Sequence, residues 1–279
     1  MRPLSKFRPN GVSVTDLCSQ IWCEKQLEFS FTKKRIVTKE MKIGKSRHIS
    51  LHQELVEIIE IEPKTRVDYL AVKLINCQDA IKSFLTDYIA REIPVWGKLR
   101  SLFIVGSIDE LKIRGNQTCL IDTKTRHSES IPSEEQKITN RLQVLLYTLL
   151  LKKLKNSMFT PRNLLKFYKI RPESDISKYF KKQIISTGKQ IDNNILNITR
   201  NTFDLIKRIP PISKALTIRY DYKGTGKILA KEIVVYNEKK LIITLSDLEK
   251  YWHGKRIARK VPESEKFKCR FCQYEKDCK

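Results

Sequence analysis

Residues 105–126, V-G-S-I-D-E-L-K-I-R-G-N-Q-T-C-L-I-D-T-K-T-R, carry acids and a lysine at a spacing that suits hydrolytic chemistry. Two apolar-rich runs flank the R-G-N-Q tetrapeptide at 114–117, a turn signal that predicts a β-hairpin. If the loop is centred within that turn, Asp109 lies directly opposite Asp122. Because side chains alternate between the two faces of a strand, Lys124 shares the face of Asp122.

Two carboxylates that face each other across a strand pair repel, so a compensating charge is expected beside them. A divalent cation bound between the acids would supply that charge, with the lysine ammonium alongside. A bound metal ion polarises a phosphate and activates a water molecule. The hairpin therefore predicts a metal-dependent phosphodiesterase.

A second group of chemically capable residues lies at the end of the chain. Cys269, Cys272 and Cys278 follow a C-x2-C-x5-C spacing, and three thiolates so close in sequence can share one metal centre. The spacing allows either zinc or a [4Fe–4S] cluster. The fourth ligand must come from elsewhere, with Cys23 or Cys18 as the candidates, and such a centre would join both ends of the chain.

Two further pairs of polar residues stand four apart on predicted helices. His48 and His52 lack the Glu of an H-E-x-x-H zinc motif, and His52 is interpreted as a partly exposed helical residue. A neutral imidazole near the carboxylates, from His48, could complete a Mg²⁺ or Mn²⁺ coordination sphere. Gln143 and Tyr147 could orient a substrate phosphate or the lysine, and their spacing equally allows buried polar residues with satisfied hydrogen bonds.

The composition favours a globular protein with a polyanionic partner. The 279 residues include 55 Lys and Arg against 31 Asp and Glu, which gives a formal charge of +24. Such an excess favours nucleic acid as the partner, although a lysine-rich soluble surface would produce the same charge. Hydrophobic residues make up 41% of the chain, and no apolar run approaches the ~18 residues of a membrane span.

The seven cysteines are an odd number, and no signal-peptide pattern is visible at the N-terminus. These observations argue against a disulfide framework and favour a reducing, intracellular setting. Two cysteines lie within predicted elements and are expected to be core thiols: Cys77 and Cys119.

The elements that must position these residues follow from apolar periodicity and turn signals. The capping box S-V-T-D at 13–16 predicts a helix of about four turns that carries Cys18, Trp22 and Cys23. Ahead of the hairpin, the patterns predict a helix at 38–61, a strand at 67–74, a helix at 78–90 and an extended segment at 91–97.

Beyond the hairpin, S-E-E-Q at 133–136 predicts the start of a long helix that reaches about residue 154. The remaining patterns predict a strand at 164–170, mostly helix at 175–208, a second hairpin from 216–222 and 228–236, and a helix at 246–254. Neither repeats nor a low-complexity linker are present, so one compact α/β unit is expected.

Taken in order, the motifs resemble those of RecB-type PD-(D/E)XK nucleases, and the chain is identified as similar to the eukaryotic exonuclease V family. The motif series is Gly44-x-x-x-His48, Asp109 in G-S-I-D-E-L, Asp122-x-Lys124 and Gln143-x-x-x-Tyr147. The matching stretches are V-T-D-L-C-S-Q-I-W-C-E (14–24), R-E-I-P-V-W-G (91–97), D-T-K-T-R (122–126), L-Q-V-L-L-Y (142–147), Y-W-H-G-K-R (251–256) and C-R-F-C-Q-Y-E-K-D-C (269–278). The resemblance covers nearly the whole chain and is weakest over 156–210.

The resemblance implies a restriction-endonuclease-like PD-(D/E)XK core, in which a mixed central sheet is flanked by helices and an iron–sulfur cluster joins the terminal segments. A single domain over 1–279 is expected, with a catalytic core at 38–154, a helical segment at 155–215 and the iron–sulfur region at 13–30 and 255–279. The implied Mg²⁺ or Mn²⁺ ligands are His48, Asp109, Asp122 and the Thr123 carbonyl. The resemblance also selects the [4Fe–4S] cluster over zinc, with the ligands Cys23, Cys269, Cys272 and Cys278.

The implied activity is metal-dependent exonucleolytic hydrolysis of single-stranded DNA in repair or genome maintenance. Lys124 would position and polarise the attacking water, with Gln143 and Tyr147 in support, while Arg126 and Arg141 are candidates for phosphate contacts. A monomer without membrane association is expected, in the nucleus or the mitochondrion, with the nucleus favoured and a single-strand-binding protein as a candidate partner. The alternatives are a cluster-containing nucleic-acid-binding protein with a degenerate nuclease fold, and an endonuclease on RNA or branched DNA.

Overall fold

A computed structural model of the chain describes residues 2–34 and 61–278. The predicted helix at 38–61, with His48 and His52, lies outside the described residues. The described elements, in chain order, are α1 (Pro3–Phe7), β1 (Val12–Ser13), α2 (Val14–Trp22), α3 (Glu24–Thr32), α4 (Arg66–Asp87), β2 (Ile89–Leu99), β3 (Leu102–Arg114), β4 (Gln117–Arg126), α5 (Glu134–Lys155), α6 (Pro161–Tyr168), α7 (Lys178–Ser186), α8 (Ile195–Lys207), β5 (Ala215–Tyr222), β6 (Ile228–Val235), α9 (Glu238–Trp252) and two 3₁₀ helices (Glu263–Phe271 and Glu275–Asp277).

The strands form one mixed sheet in which β3 is the centre. One edge of β3 pairs antiparallel with β2, and the other edge pairs first with β1 in parallel and then with β4 in antiparallel orientation. Strand β4 continues in parallel with β5, and β5 pairs antiparallel with β6. The protein is therefore a mixed α/β structure with a central mixed sheet flanked by helices, and the second predicted hairpin is confirmed.

The register predicted for the first hairpin is confirmed where the ladder extends. Leu111 pairs with Leu120 and Glu110 pairs with Ile121, which is the register that would bring Asp109 opposite Asp122. The paired ladder ends at Glu110, one residue before that position. From Ile121 onward β4 pairs with β5 instead, so the two acids lie where β3 and β4 separate.

Helix α5 crosses the sheet at short distance because the strands beneath it carry glycines. A Cβ atom at Gly97 would lie 2.7 Å from Leu150, and one at Gly106 would lie 2.7 Å from Tyr147. The apolar face of α5 is buried against the sheet, and its bounds confirm the long helix predicted from about residue 133 to 154. The small residues on the strands thus allow Gln143 and Tyr147 of this helix to lie close to the hairpin.

The strand predicted at 67–74 and the helix predicted at 78–90 are wrong, because a single helix, α4, covers both. The Thr65 side chain accepts a hydrogen bond from Asp68 N–H, and the Asp68 carboxylate accepts one from Thr65 N–H. This capping box starts the helix. The buried residues that follow keep helical spacing, and this periodicity outweighs the β-branched residues that suggested a strand: Leu70, Leu74, Cys77, Ile81 and Phe84.

Three other elements differ from the prediction in type or in boundary. The expected strand at 164–170 is helix α6, which a capping box between Thr160 and Asn163 starts. Helix α9 begins at Glu238 rather than near residue 246, and the helix expected to run through Cys23 breaks there into α2 and α3.

Cys77 is a core thiol as predicted, whereas Cys119 is only partly buried. No helix in the described ranges is long and apolar enough to cross a membrane.

A buried polar network joins the two ends of the chain around Glu24. The Glu24 carboxylate accepts hydrogen bonds from both terminal nitrogens of Arg256, from Gln20 Nε2 at 2.9 Å and from the Arg259 backbone N–H at 3.0 Å. Gln20 Oε1 accepts a further bond from Trp252 Nε1 at 2.8 Å. Burial would raise the pKa of Glu24, but these donors outweigh it and lower the pKa.

Replacing Glu24 with Ala is expected to lower the free energy of unfolding by about 3 kcal/mol, because the largely buried Arg256 guanidinium would lose the carboxylate that both of its terminal nitrogens contact. Urea denaturation followed by tryptophan fluorescence measures this change. The matched control is Glu263→Ala, which removes an ion pair whose carboxylate is 84% exposed and should alter stability by less than about 0.5 kcal/mol.

The Glu24 contribution should also depend on pH in a defined direction. Because its folded-state pKa is depressed, the stabilisation is complete above the ordinary carboxyl pKa of about 4.3 and is lost as the pH falls through the lower folded value. Equal destabilisation by Glu24→Ala and Glu263→Ala would contradict the assignment of this network as the connection between the chain ends.

Candidate active site

Lys124 is the centre of the polar group at the end of the hairpin. Its Nζ lies 2.8 Å from Asp122 Oδ2 and donates a hydrogen bond of 2.8 Å to Gln143 Oε1. Gln143 Nε2 in turn donates to the Tyr147 hydroxyl at 3.1 Å. The residues predicted from the hairpin and from helix α5 are therefore joined in one hydrogen-bonded chain.

The two acids of this hydrogen-bonded group come from different strands, Asp109 from β3 and Asp122 from β4. The Asp109 carboxylate accepts a hydrogen bond from the Thr123 backbone N–H at 3.2 Å, which fills the gap where the ladder has ended. Asp122 is fully buried, and its Oδ1 accepts no hydrogen bond from any residue in the described ranges. A buried carboxylate oxygen without a partner carries a large desolvation cost.

The charges of this group act on its neighbours. Burial disfavours the Lys124 ammonium, but the carboxylates of Asp122 and Asp109 outweigh it, and the pKa of Lys124 is raised. Burial also raises the pKa of the Tyr147 phenol, with a further contribution from Asp109. At neutral pH Lys124 is therefore a cation and Tyr147 a neutral hydroxyl.

The carboxylate pair fits a hard divalent cation but does not complete its coordination. Oxygen ligands suit Mg²⁺ and Mn²⁺, and the unpartnered Asp122 oxygen is such a ligand in a buried position. Among residues 2–34 and 61–278, no group of three His, Cys, Asp or Glu side chains is placed to hold a metal ion. Further ligands must come from backbone, substrate, water or residues outside those ranges, where the predicted ligand His48 lies.

A cleft of about 350 Å³ opens beside this group. It is lined by Lys124, Arg126, Trp22 and Tyr220 together with polar residues of α5 and its preceding loop. Arg126 is half-buried at the cleft, and its Nε donates to the Ser130 carbonyl at 3.3 Å. The other predicted phosphate contact, Arg141, forms ion pairs with Glu134 and Glu232 in this structure.

Sequence reasoning missed several residues that line this cleft. Gln136 and Asn140 precede Gln143 on α5 at spacings of seven and three residues, so helical periodicity could have identified them. Tyr220 reaches the cleft because β5 pairs with β4 and places Tyr220 beside Lys124. Its position depends on a strand pairing between distant segments, and the local sequence carries no signal for that pairing.

The structure places four cysteines around one cavity of about 430 Å³. They are Cys23 from the junction of α2 and α3 and the three C-terminal cysteines, Cys269, Cys272 and Cys278. Burial raises the pKa of Cys23 and of Cys272, and the neighbouring cysteines contribute to both shifts. Within the part of the chain that the structure describes, no three of these thiols are close enough to hold a metal ion in common. The four cysteines therefore share a cavity without converging on one point.

Cys18 occupies a different environment. It is buried near Lys124 and Asp122, whose charges act on it, and burial raises the pKa of its thiol to about 12. Of the two candidates for a fourth cysteine ligand, only Cys23 therefore lies with the C-terminal cysteines.

Comparisons with known proteins show what the chain is similar to. A family model described as Exonuclease V, a 5′ deoxyribonuclease, matches residues 2–119, 112–204 and 193–279. An Exonuclease V of Danio rerio is 31% identical over an alignment of 291 residues, gaps included, which covers 99% of this chain and 72% of that protein. A crystal structure of SSO0001 shows 12% sequence identity and a TM-score of 0.46, covering 96% of this chain and 86% of that one.

Proposed function

The chain belongs to the exonuclease V family, and we propose that it is a metal-dependent 5′ exodeoxyribonuclease acting on single-stranded DNA. The observation that carries the proposal is the placement of Lys124 between Asp122 and Gln143, with Asp109 alongside, at the edge of a cleft. Opposed acids with an adjacent ammonium suit metal-dependent phosphodiester hydrolysis. The charge of +24 supports a polyanionic substrate.

The fold supports a PD-(D/E)XK assignment. The two acids and the lysine come from adjacent antiparallel strands, β4 continues in parallel with β5, and α5 packs over the site. The proposal retains a single domain over 1–279, with its catalytic core at 38–154, helical segment at 155–215 and cysteine-bearing segments at 13–30 and 255–279.

The proposed roles follow from the contacts of each side chain. Asp109, Asp122, the Thr123 carbonyl and His48 would hold Mg²⁺ or Mn²⁺, which when bound polarises the phosphate and lowers the pKa of a water molecule. Lys124 keeps its proton, orients the attacking water and stabilises the charge that develops on the phosphate. Gln143 fixes the ammonium through its 2.8 Å hydrogen bond, and Tyr147 fixes the amide of Gln143.

Arg126 is the proposed phosphate contact in the cleft, since a guanidinium can engage phosphate bidentately. Arg141 could serve the same role only after leaving Glu134 and Glu232, and its present contacts make it a positioning residue between α5 and β6. DNA repair in the nucleus or the mitochondrion, a monomeric state and a single-strand-binding protein partner remain predictions from the family resemblance.

We propose that the cysteine cavity holds a [4Fe–4S] cluster with Cys23, Cys269, Cys272 and Cys278 as ligands. The donor set is four cysteines around one cavity, and the terminal segment would have to move for the thiols to converge on a cluster. The cluster would be structural, since it would link the α2–α3 junction to the C-terminal segment. The Glu24 network already holds the same two parts of the chain in contact.

Substituting Lys124 or Asp109 with Ala is expected to reduce cleavage of end-labelled single-stranded DNA in Mg²⁺ by at least about 100-fold, because each change removes electrostatic stabilisation of the transition state. Binding of the same strand in Ca²⁺ should persist. The matched control is Asp204→Ala, which removes a 60% exposed acid on α8 and should leave cleavage unchanged. Undiminished cleavage by the Asp109→Ala protein would refute the site.

Protein purified without oxygen is expected to be brown and to contain iron and sulfide in equal amounts, because cysteine thiolates hold iron–sulfur clusters. Cys272→Ser should lose the colour, whereas Cys119→Ser, on β4 away from the cavity, should retain it. A colourless wild-type protein with stoichiometric zinc would show that the site is a zinc centre instead.

A further inference from the structure

We propose that Trp22 is the residue on which a base of the DNA strand stacks next to the scissile phosphate. The inference rests on the proposed function and deepens it, because it assigns a source for the preference for single strands. Trp22 is the last residue of α2, and its indole lines the cleft that also contains Lys124 and Arg126.

The packing of Trp22 indicates a binding role. The side chain is half-buried, and it belongs neither to the apolar core nor to the partly buried residues that pack against that core. By contrast Trp96 and Trp252 are almost fully buried within it. A large aromatic ring that contributes little to the core and borders a charged cleft has its surface available for a ligand.

The two sides of the indole differ in their surroundings. Trp22 also lines the cysteine cavity, and on that side Lys268 Nζ lies 4.6 Å from the ring centroid. Lys268 contributes to the cysteine cavity and does not border the cleft, whereas Lys124 and Arg126 border the cleft alone. Trp22 is therefore shared by the described linings of both cavities, with Lys268 over one face of its ring, and in the proposal a base would meet the opposite face.

The cleft supplies the remaining contacts that a nucleotide needs. Its described lining contains two cations, Lys124, which pairs with Asp122 behind it, and Arg126, and no acid, so it suits a phosphate. Gln136 and Asn140 offer amide groups to the sugar or the base edge. Every base has an aromatic face, so stacking on Trp22 would be independent of sequence. Bases within a duplex are paired and stacked on each other and cannot also stack on Trp22. The contact is therefore open to single strands only.

Trp22 and the Lys268 side chain over its ring are both adjacent in sequence to proposed cluster ligands. Trp22 precedes Cys23 and Lys268 precedes Cys269, and Lys268 Nζ also donates to the Trp22 carbonyl at 3.4 Å. The position of the indole is thus set by the same backbone that positions the cysteines. Loss of the cysteine site should weaken strand binding through Trp22.

The test compares the Ca²⁺-supported affinity of intact strands with that of strands carrying one abasic nucleotide at successive positions from the 5′ end. One abasic position should weaken binding by wild-type protein by about 5- to 150-fold, the effect of one base–aromatic stack. Trp22→Leu should lose the same factor on the intact strand and nothing more on the abasic one. Trp22→Phe should restore most of the affinity.

Phe29→Leu is the matched control, because Phe29 lines the cysteine cavity without bordering the cleft and its loss should leave strand affinity unchanged. If Trp22→Leu weakens intact and abasic strands equally, or neither, the stacking assignment is overturned while the nuclease proposal stands. If wild-type protein neither binds nor cleaves single strands, the proposed function itself fails. Circular dichroism of each variant verifies folding.

Discussion

The rest of the site depends on the repulsion between Asp109 and Asp122. The Lys124 ammonium offsets part of this repulsion. The ladder of the hairpin ends at Glu110, so the two acids meet where the strands separate. The Thr123 N–H and the Lys124 ammonium offset part of the cost, and Asp122 Oδ1 keeps no hydrogen-bond partner in the described residues. Such a site stores unfavourable electrostatic energy that a bound cation would release.

The surrounding structure holds this arrangement in place. Gly97 and Gly106 let α5 approach the sheet closely, which brings Gln143 within hydrogen-bonding distance of Lys124. The buried contacts of Glu24 join the chain ends and place the cysteine cavity next to the cleft. Trp22 lines both cavities, so the proposed substrate contact and the proposed cysteine ligation would share one short segment of backbone.

The sequence predicted the parts of this site that local patterns control. The turn at 114–117 fixed the hairpin register, and the spacing of Gln143 and Tyr147 placed both on one helical face. The resemblance, rather than spacing, chose Cys23 over Cys18, and the structure puts Cys23 in the cysteine cavity. Features that depend on contacts between distant segments escaped prediction. The pairing of β4 with β5 brings Tyr220 beside Lys124, and that pairing has no local signal. The strand expected at 67–74 is wrong for a local reason, since the capping box before α4 and the helical spacing of its buried residues both favour a helix.

The central claim is that the facing acids form a divalent-cation site, and thermal unfolding in increasing Mn²⁺ tests it most directly. Wild-type protein should gain stability with Mn²⁺, by about 2.7 kcal/mol at a concentration 100 times the dissociation constant. Asp122→Asn should fold but gain none, while the surface variant Asp204→Asn should behave as wild-type does. An equal gain in wild-type and Asp122→Asn proteins, or no gain in either, would contradict the account.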